Sequence, residues 1–258
     1  MVGGAGQPPV SGMGYFALDG FGATVGGSGG VSSVRLSAYS RQNTKDRPHG
    51  VLNDYISSAL GLSIGLSVPP GALVELDGGI YGYTCMAFGL KGDRLPPAIL
   101  GKLVLERPWE AWGIVAFDQW VANTDRHDGN VAYHPKVGVA AFDHDLALLG
   151  RCSKDLSSML RSERDREVRS HEFAPYFQSA EYLDSWCTRI AGVQKEEIRR
   201  LVNNCLAVDL VNKEVAEELI RYIDHRKSRV REFISRTSGE YSKVTEWPFE
   251  LGEVGDVR

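Results

Sequence analysis

Residues 109–122 constrain the fold more than any other stretch. Trp112, Ile114, Val115, Phe117, Trp120 and Val121 would cover most of a helix circumference, and a helix apolar on so broad a face is stable only when other elements enclose it. The rest of the chain must supply that shell. Helical spacing continues at 181–191, 195–203 and 212–235, the last segment placing Val215, Leu219, Ile223, Val230 and Ile234 on one face and charged residues on the other.

The upstream part has a different period. Val34, Leu36 and Ala38 alternate with polar residues over 31–39, as in a strand. Segments 72–76 and 81–88 are also strand-like, and Asp77, Gly78 and Gly79 between them have the chemistry of a hairpin turn. A helix is expected at 50–62, with Leu52, Ile56, Ala59 and Leu60 on one side and a break at Pro69-Pro70-Gly71. The glycine-rich run at 20–30 reads as a loop between extended pieces at 15–18 and 31–39. Residues 89–97 read as a linker. The expected class is therefore α+β, with a small mixed β part over 1–90 and a mainly helical part over 91–258.

Composition narrows the function. The 258 residues carry 29 basic and 33 acidic side chains, a formal charge of −4, so no overall basic field attracts nucleic acid. No run of eighteen apolar residues occurs, and the N-terminus lacks the pattern of a secretory signal; the expectation is a cytoplasmic protein with no membrane or direct nucleic-acid partner. Cys85, Cys152, Cys187 and Cys205 show no metal-binding spacing and read as free thiols that pack like small apolar residues. The mixed-charge run 162–170 reads as a solvated face.

The chemistry follows the apolar helix directly, in Asn123-Thr124-Asp125-Arg126-His127-Asp128-Gly129-Asn130, and resumes twelve residues later in Asp143-His144-Asp145. Phosphoryl transfer needs a carboxylate to orient the attacking hydroxyl, an amide oxygen for Mg²⁺ and a second carboxylate for the same metal. An Asp, an Asn five positions on, and an Asp beyond a short hairpin supply this set. The segments 131–133 and 139–142 would form that hairpin and return Asp143 toward Asp125 and Asn130.

The string Asp-Arg-His-Asp-Gly-Asn with Phe-Asp-His-Asp resembles the motifs of phosphoinositide-type and HipA-like kinases, and Phe-Asp-Gln-Trp-Val-Ala-Asn-Thr-Asp-Arg-His looks specifically HipA-like. The resemblance continues more weakly through residues 52–56 and 66–69 and the closing helix at 224–233. It implies a two-lobed protein-kinase-like fold with ATP and Mg²⁺ in the cleft, phosphorylating serine or threonine in a protein. Asp125 is then the catalytic base, His127 a support for its loop, and Asn130 and Asp143 the metal ligands. The resemblance also suggests a toxin-like kinase with a small regulatory or antitoxin partner.

Other roles follow from the same resemblance. Gly26, Gly27, Ser28, Gly29 and Gly30 would cover the phosphates with backbone N–H groups, and Ser28, Ser32 and Ser33 are candidate autophosphorylation sites. Met86 and Phe88 would border adenine. In place of the family's strand lysine and helix glutamate, this sequence offers Arg35 and Asp54, with Arg41 or Lys45 as alternatives to Arg35. Asp145 stands where the family has glycine, as a helix cap or as added charge near the metal. These departures keep a nucleotide-binding pseudokinase as an alternative, and the Asp-Arg-His motif keeps open a kinase of a small molecule or lipid.

Overall fold

The computed structural model describes residues 18–24, 31–90, 93–94, 96–136, 138–152 and 154–251, with the backbone alone for 18–24, 89–90 and 93–94. Strand β1 (Leu18–Thr24) pairs antiparallel with β2 (Ser32–Leu36), with register shifts on both sides of Gly20 and Phe21. The glycine-rich run is thus partly strand rather than wholly loop. Glycine adds no side-chain packing, but its backbone groups pair like any others, and bulges absorb the irregular spacing.

The single strand expected over 31–39 divides at Ser37, whose carbonyl accepts from the Ala87 N–H at 2.9 Å. From there the chain enters a second sheet as β3 (Ala38–Arg41), followed by α1 (Gly50–Ser63), β4 (Gly71–Glu75) and β5 (Tyr81–Met86), in the order β3-β5-β4. The predicted turn between β4 and β5 is present, with Gly78 at φ 81°, a value that glycine adopts without the steric cost of a Cβ. Within the expected linker, β6 (Gly89–Leu90) and β7 (Asp93–Arg94) make a small hairpin.

The helical part begins with α2 (Leu100–Glu106) and α3 (Pro108–Val121). Pro108 starts α3 where its missing N–H costs nothing, and every residue from Trp109 to Val121 is buried. The enclosing shell consists of β8 (Val131–His134), β9 (Gly138–Ala141), α4 (Leu156–Glu163), α5 (Leu183–Ala191), α6 (Lys195–Ala207), α7 (Lys213–Lys227) and α8 (Val230–Arg236). Trp112 and Trp120, both fully buried, donate their indole N–H groups to the Ser179 and Ile223 carbonyls at 2.9 and 3.0 Å, as enclosed indoles must. Gly113 lets α5 approach α3: a Cβ there would lie 2.6 Å from the Trp186 ring.

The one long helix expected over 212–235 is broken at Ser228 and Arg229, between α7 and α8; one turn before the break, Arg226 turns inward. Its guanidinium donates to the carbonyls of Gln119, Trp120, Glu163, Arg164 and Arg166. Gln119 and Trp120 lie in the last turn of α3, where carbonyls lack helical partners and the helix dipole favours a cation. One hydrophobic core runs from Leu52, Ile56 and Leu60 of α1 through α3 and α5 to Ile234 of α8. Among the described residues no helix is long and apolar enough to cross a membrane.

Candidate active site

Ala122, in the left-handed region at φ 54°, ends α3 and turns the chain into the Asp125 loop. Asn123 fastens the turn: its Nδ2 donates to Asp118 at 2.9 Å, and its Oδ1 accepts from the Asp125 N–H at 3.2 Å. Asp125 is half-buried. Asn130 is buried and donates through Nδ2 to the Asp125 carbonyl at 2.9 Å, which leaves its amide oxygen as the free donor atom. His127 Nδ1 accepts from the Gly129 N–H at 3.0 Å, so this ring nitrogen caps the turn that carries Asn130.

The β8–β9 hairpin returns Asp143 to this loop, as the spacing predicts: the Phe142 N–H donates to the Asn130 carbonyl at 3.1 Å. Asp143 lies at φ 59°, a conformation that aspartate tolerates better than most residues. The next N–H, that of His144, donates to Asp54 Oδ1 at 2.6 Å. Burial pushes the Asp143 carboxyl above its ordinary range, with Arg41 opposing and Asp145 and Asp125 adding to the rise.

Arg41 is the cation at the centre of the site. Its Nε meets Asp54 at 2.7 Å, and its two Nη atoms meet Asp143 and Asp145, each at 2.5 Å. A lysine ammonium could not match this fork geometrically: the three carboxylates engage each of its three nitrogens, with N–H groups on the two Nη atoms left over. Asp145 therefore does not cap a helix; it is buried, holds Arg41 and also Arg47 at 2.9 Å, while the next helix, α4, is capped by Asp155. Arg35, named from the sequence, lies exposed on β2 opposite Gly20, and Lys45 is exposed in the loop after β3. Burial pushes the Asp54 carboxyl up to about 7, outweighing the Arg41 charge, with Asp143 and Asp145 adding to the rise.

A cavity of about 460 Å³ is lined by Arg41, Asp54 and Asp143 and, at and beyond the end of β5, by Met86 and Phe88; Asp125 and Asn130 are not among its lining residues. The Met86 and Ala87 N–H groups already donate to the Pro70 and Ser37 carbonyls, so a base at that end takes no hydrogen bond from either amide. Gly26, Gly27, Ser28, Gly29 and Gly30 lie outside the described residues. Ser32 and Ser33 are exposed on or beside the start of β2.

The oxygen donors suit a hard divalent cation, which prefers oxygen ligands: Asp143 offers carboxylate oxygens and Asn130 its free amide oxygen, although the Arg41 guanidinium holds one of the Asp143 oxygens. The sequence reading missed three supporting groups, namely Asp118, His171 and Arg47. Asp118 had a signal, being the acid within the mainly apolar stretch 111–121. His171 had none, since nothing local marks a residue that meets Asp118 across 53 positions.

Neither a family model nor a curated protein matches the chain. Among solved structures, the Helicobacter pylori proinflammatory kinase CtkA superposes with a TM-score of 0.57 at 15% identity, covering 89% of this chain and 96% of that one. The fold is kinase-like. It agrees with the α+β, two-lobed arrangement implied by the motif resemblance, with the cavity between the β3-β5-β4 sheet and the β8–β9 hairpin. A second structure, Shewanella oneidensis HipA in complex with HipB and operator DNA, aligns at a TM-score of 0.38 and 11% identity over 82% of this chain and 62% of that one.

Proposed function

We propose that the chain is a cytoplasmic, Mg²⁺- and ATP-dependent serine/threonine protein kinase of HipA-like type. The observation that carries this reading is the pairing of the segment before Asp143 with the Asp125–Asn130 loop, through the Phe142 N–H and the Asn130 carbonyl, beside a cavity lined by Arg41 and Asp143. Asp125 orients the acceptor hydroxyl and takes its proton. The Asn130 amide oxygen and Asp143 would hold Mg²⁺, which supplies charge neutralisation between the phosphates. Arg41, rather than the exposed Arg35, would meet the phosphates, and Asp54 holds its guanidinium in position. His127 keeps the loop in shape, and Met86 and Phe88 border the adenine end. The motif resemblance extends the proposal to a protein substrate and a small antitoxin-type partner.

A nucleotide-binding pseudokinase is the second reading, favoured by the Arg41 contact with the carboxylate that should bind metal. The intact mass of the protein after incubation with Mg²⁺ and ATP, beside Asp143→Asn treated alike, separates the two. Phosphoryl addition to the wild type alone supports the kinase. If neither protein changes mass, with or without a panel of protein acceptors, while ATP still raises the melting temperature, the pseudokinase reading stands instead. Transfer only to lipids or small hydroxyl compounds would move the assignment to that class.

A further inference from the structure

Among the described residues, the Arg126 side chain touches the backbone of both proposed metal-ligand segments. Its Nη1 donates to the carbonyl of Asn130 and to that of Phe142, the residue before Asp143, each at 2.8 Å. Being next to Asp125 in the chain, it also anchors the loop that carries the base. The guanidinium is itself held as a fork: Nε donates to Asp118 Oδ2 at 2.9 Å and Nη2 to Oδ1 at 3.1 Å. Both side chains are essentially without solvent exposure.

Asp118 is in turn fixed from a distant segment. His171 Nδ1 accepts from the Phe173 N–H at 3.3 Å, so its proton is on Nε2, which donates to Asp118 Oδ2 at 3.1 Å. Asn123 completes the set at Oδ1. The carboxylate thus has Arg126, Asn123 and His171 around it and no freedom to rotate.

We propose that Asp118 and His171 are positioning residues that act through Arg126 to set the separation of Asn130 and Asp143, and so tune the affinity of the site for its divalent cation. The inference rests on the kinase reading of that site. Groups one step removed from a metal typically change its affinity by about 10–100-fold when removed, because a ligand pair held at the wrong spacing cannot close on the ion.

The test is calorimetric titration of Mn²⁺ into the full chain saturated with a non-hydrolysable ATP analogue, for wild type, Asp118→Asn, His171→Phe and Gln119→Ala. Gln119 is the control for stability alone: it is buried next to Asp118 and bonds Val168 in both directions, without touching Arg126 through its side chain. The expected result is Mn²⁺ affinity weakened about tenfold or more by Asp118→Asn and less by His171→Phe, with Gln119→Ala unchanged and metal-free binding of the analogue the same in all. If Asp118→Asn does not fold, His171→Phe carries the comparison. Unchanged Mn²⁺ affinity in the folded variants, or an equal loss in Gln119→Ala, overturns the positioning role while the kinase reading survives. Absence of Mn²⁺-analogue binding to the wild type overturns both.

Discussion

Arg41 is held by three carboxylates, and its fork is completed by Asp145. Arg41→Lys keeps one charge but can satisfy at most part of the three-carboxylate set. We expect the ATP KM to rise about 10–100-fold, the equivalent of one lost charged hydrogen bond of about 1.5–3 kcal/mol, which steady-state kinetics at saturating Mg²⁺ would measure. The buried acids also give stability a defined pH profile. For Asp118 burial alone pushes the carboxyl up, but Arg126 and the His171 hydrogen bond outweigh it and hold it well below the usual range. Its contribution is present above the unfolded value near about 4 and lost as pH falls below it. Asp54 has the opposite sign: its carboxyl is pushed up to about 7, so its contribution is full below about 4 and lost as pH rises through 7. Urea midpoints should therefore decline from pH 5 to 8, and Asp54→Asn should flatten that decline.

At the scale of elements, the motif depends on how α3 ends. The last carbonyls of that helix need donors, and Arg226 of α7 provides them from 106 positions away while stacking 4.4 Å from the Phe233 ring. Arg226→Met keeps bulk but leaves the Gln119 and Trp120 carbonyls buried without that donor. We expect it to lower unfolding free energy by about 3 kcal/mol or more, read from chemical denaturation, with activity per folded molecule also reduced because the Asp125 loop begins one turn later. The helix over 109–122, the β8–β9 hairpin and the β4–β5 turn were legible locally, since each has its own period or turn chemistry. The division at Ser37 was not, because it is decided by a hydrogen bond to Ala87, and neither was the α7–α8 break, where helical spacing continues in sequence although the backbone does not.

Over the whole molecule, the cavity joins the β3-β5-β4 sheet to the β8–β9 hairpin, two regions with separate backbone pairing. A ligand bound across both should slow amide exchange in β3, β5 and β8–β9 together, by the linkage between binding and local opening. Hydrogen-exchange mass spectrometry with and without Mg²⁺ and ATP tests this; protection confined to one side would mean that the nucleotide does not bridge the cleft. The order of local elements could be read from the sequence, and Asp125, Asn130 and Asp143 could be singled out there as the proposed site, because period, turn chemistry and a short spacing are properties of neighbouring residues. That Arg41 meets three carboxylates while Arg35 lies exposed, that Asp145 is a counter-ion and not a cap, and that Asp118 and His171 support Arg126 came only from the tertiary structure. The Arg41 contacts and the His171–Asp118 bond join groups far apart in the chain, and burial together in a poorly solvated interior, which no local pattern encodes, decides which polar groups must meet.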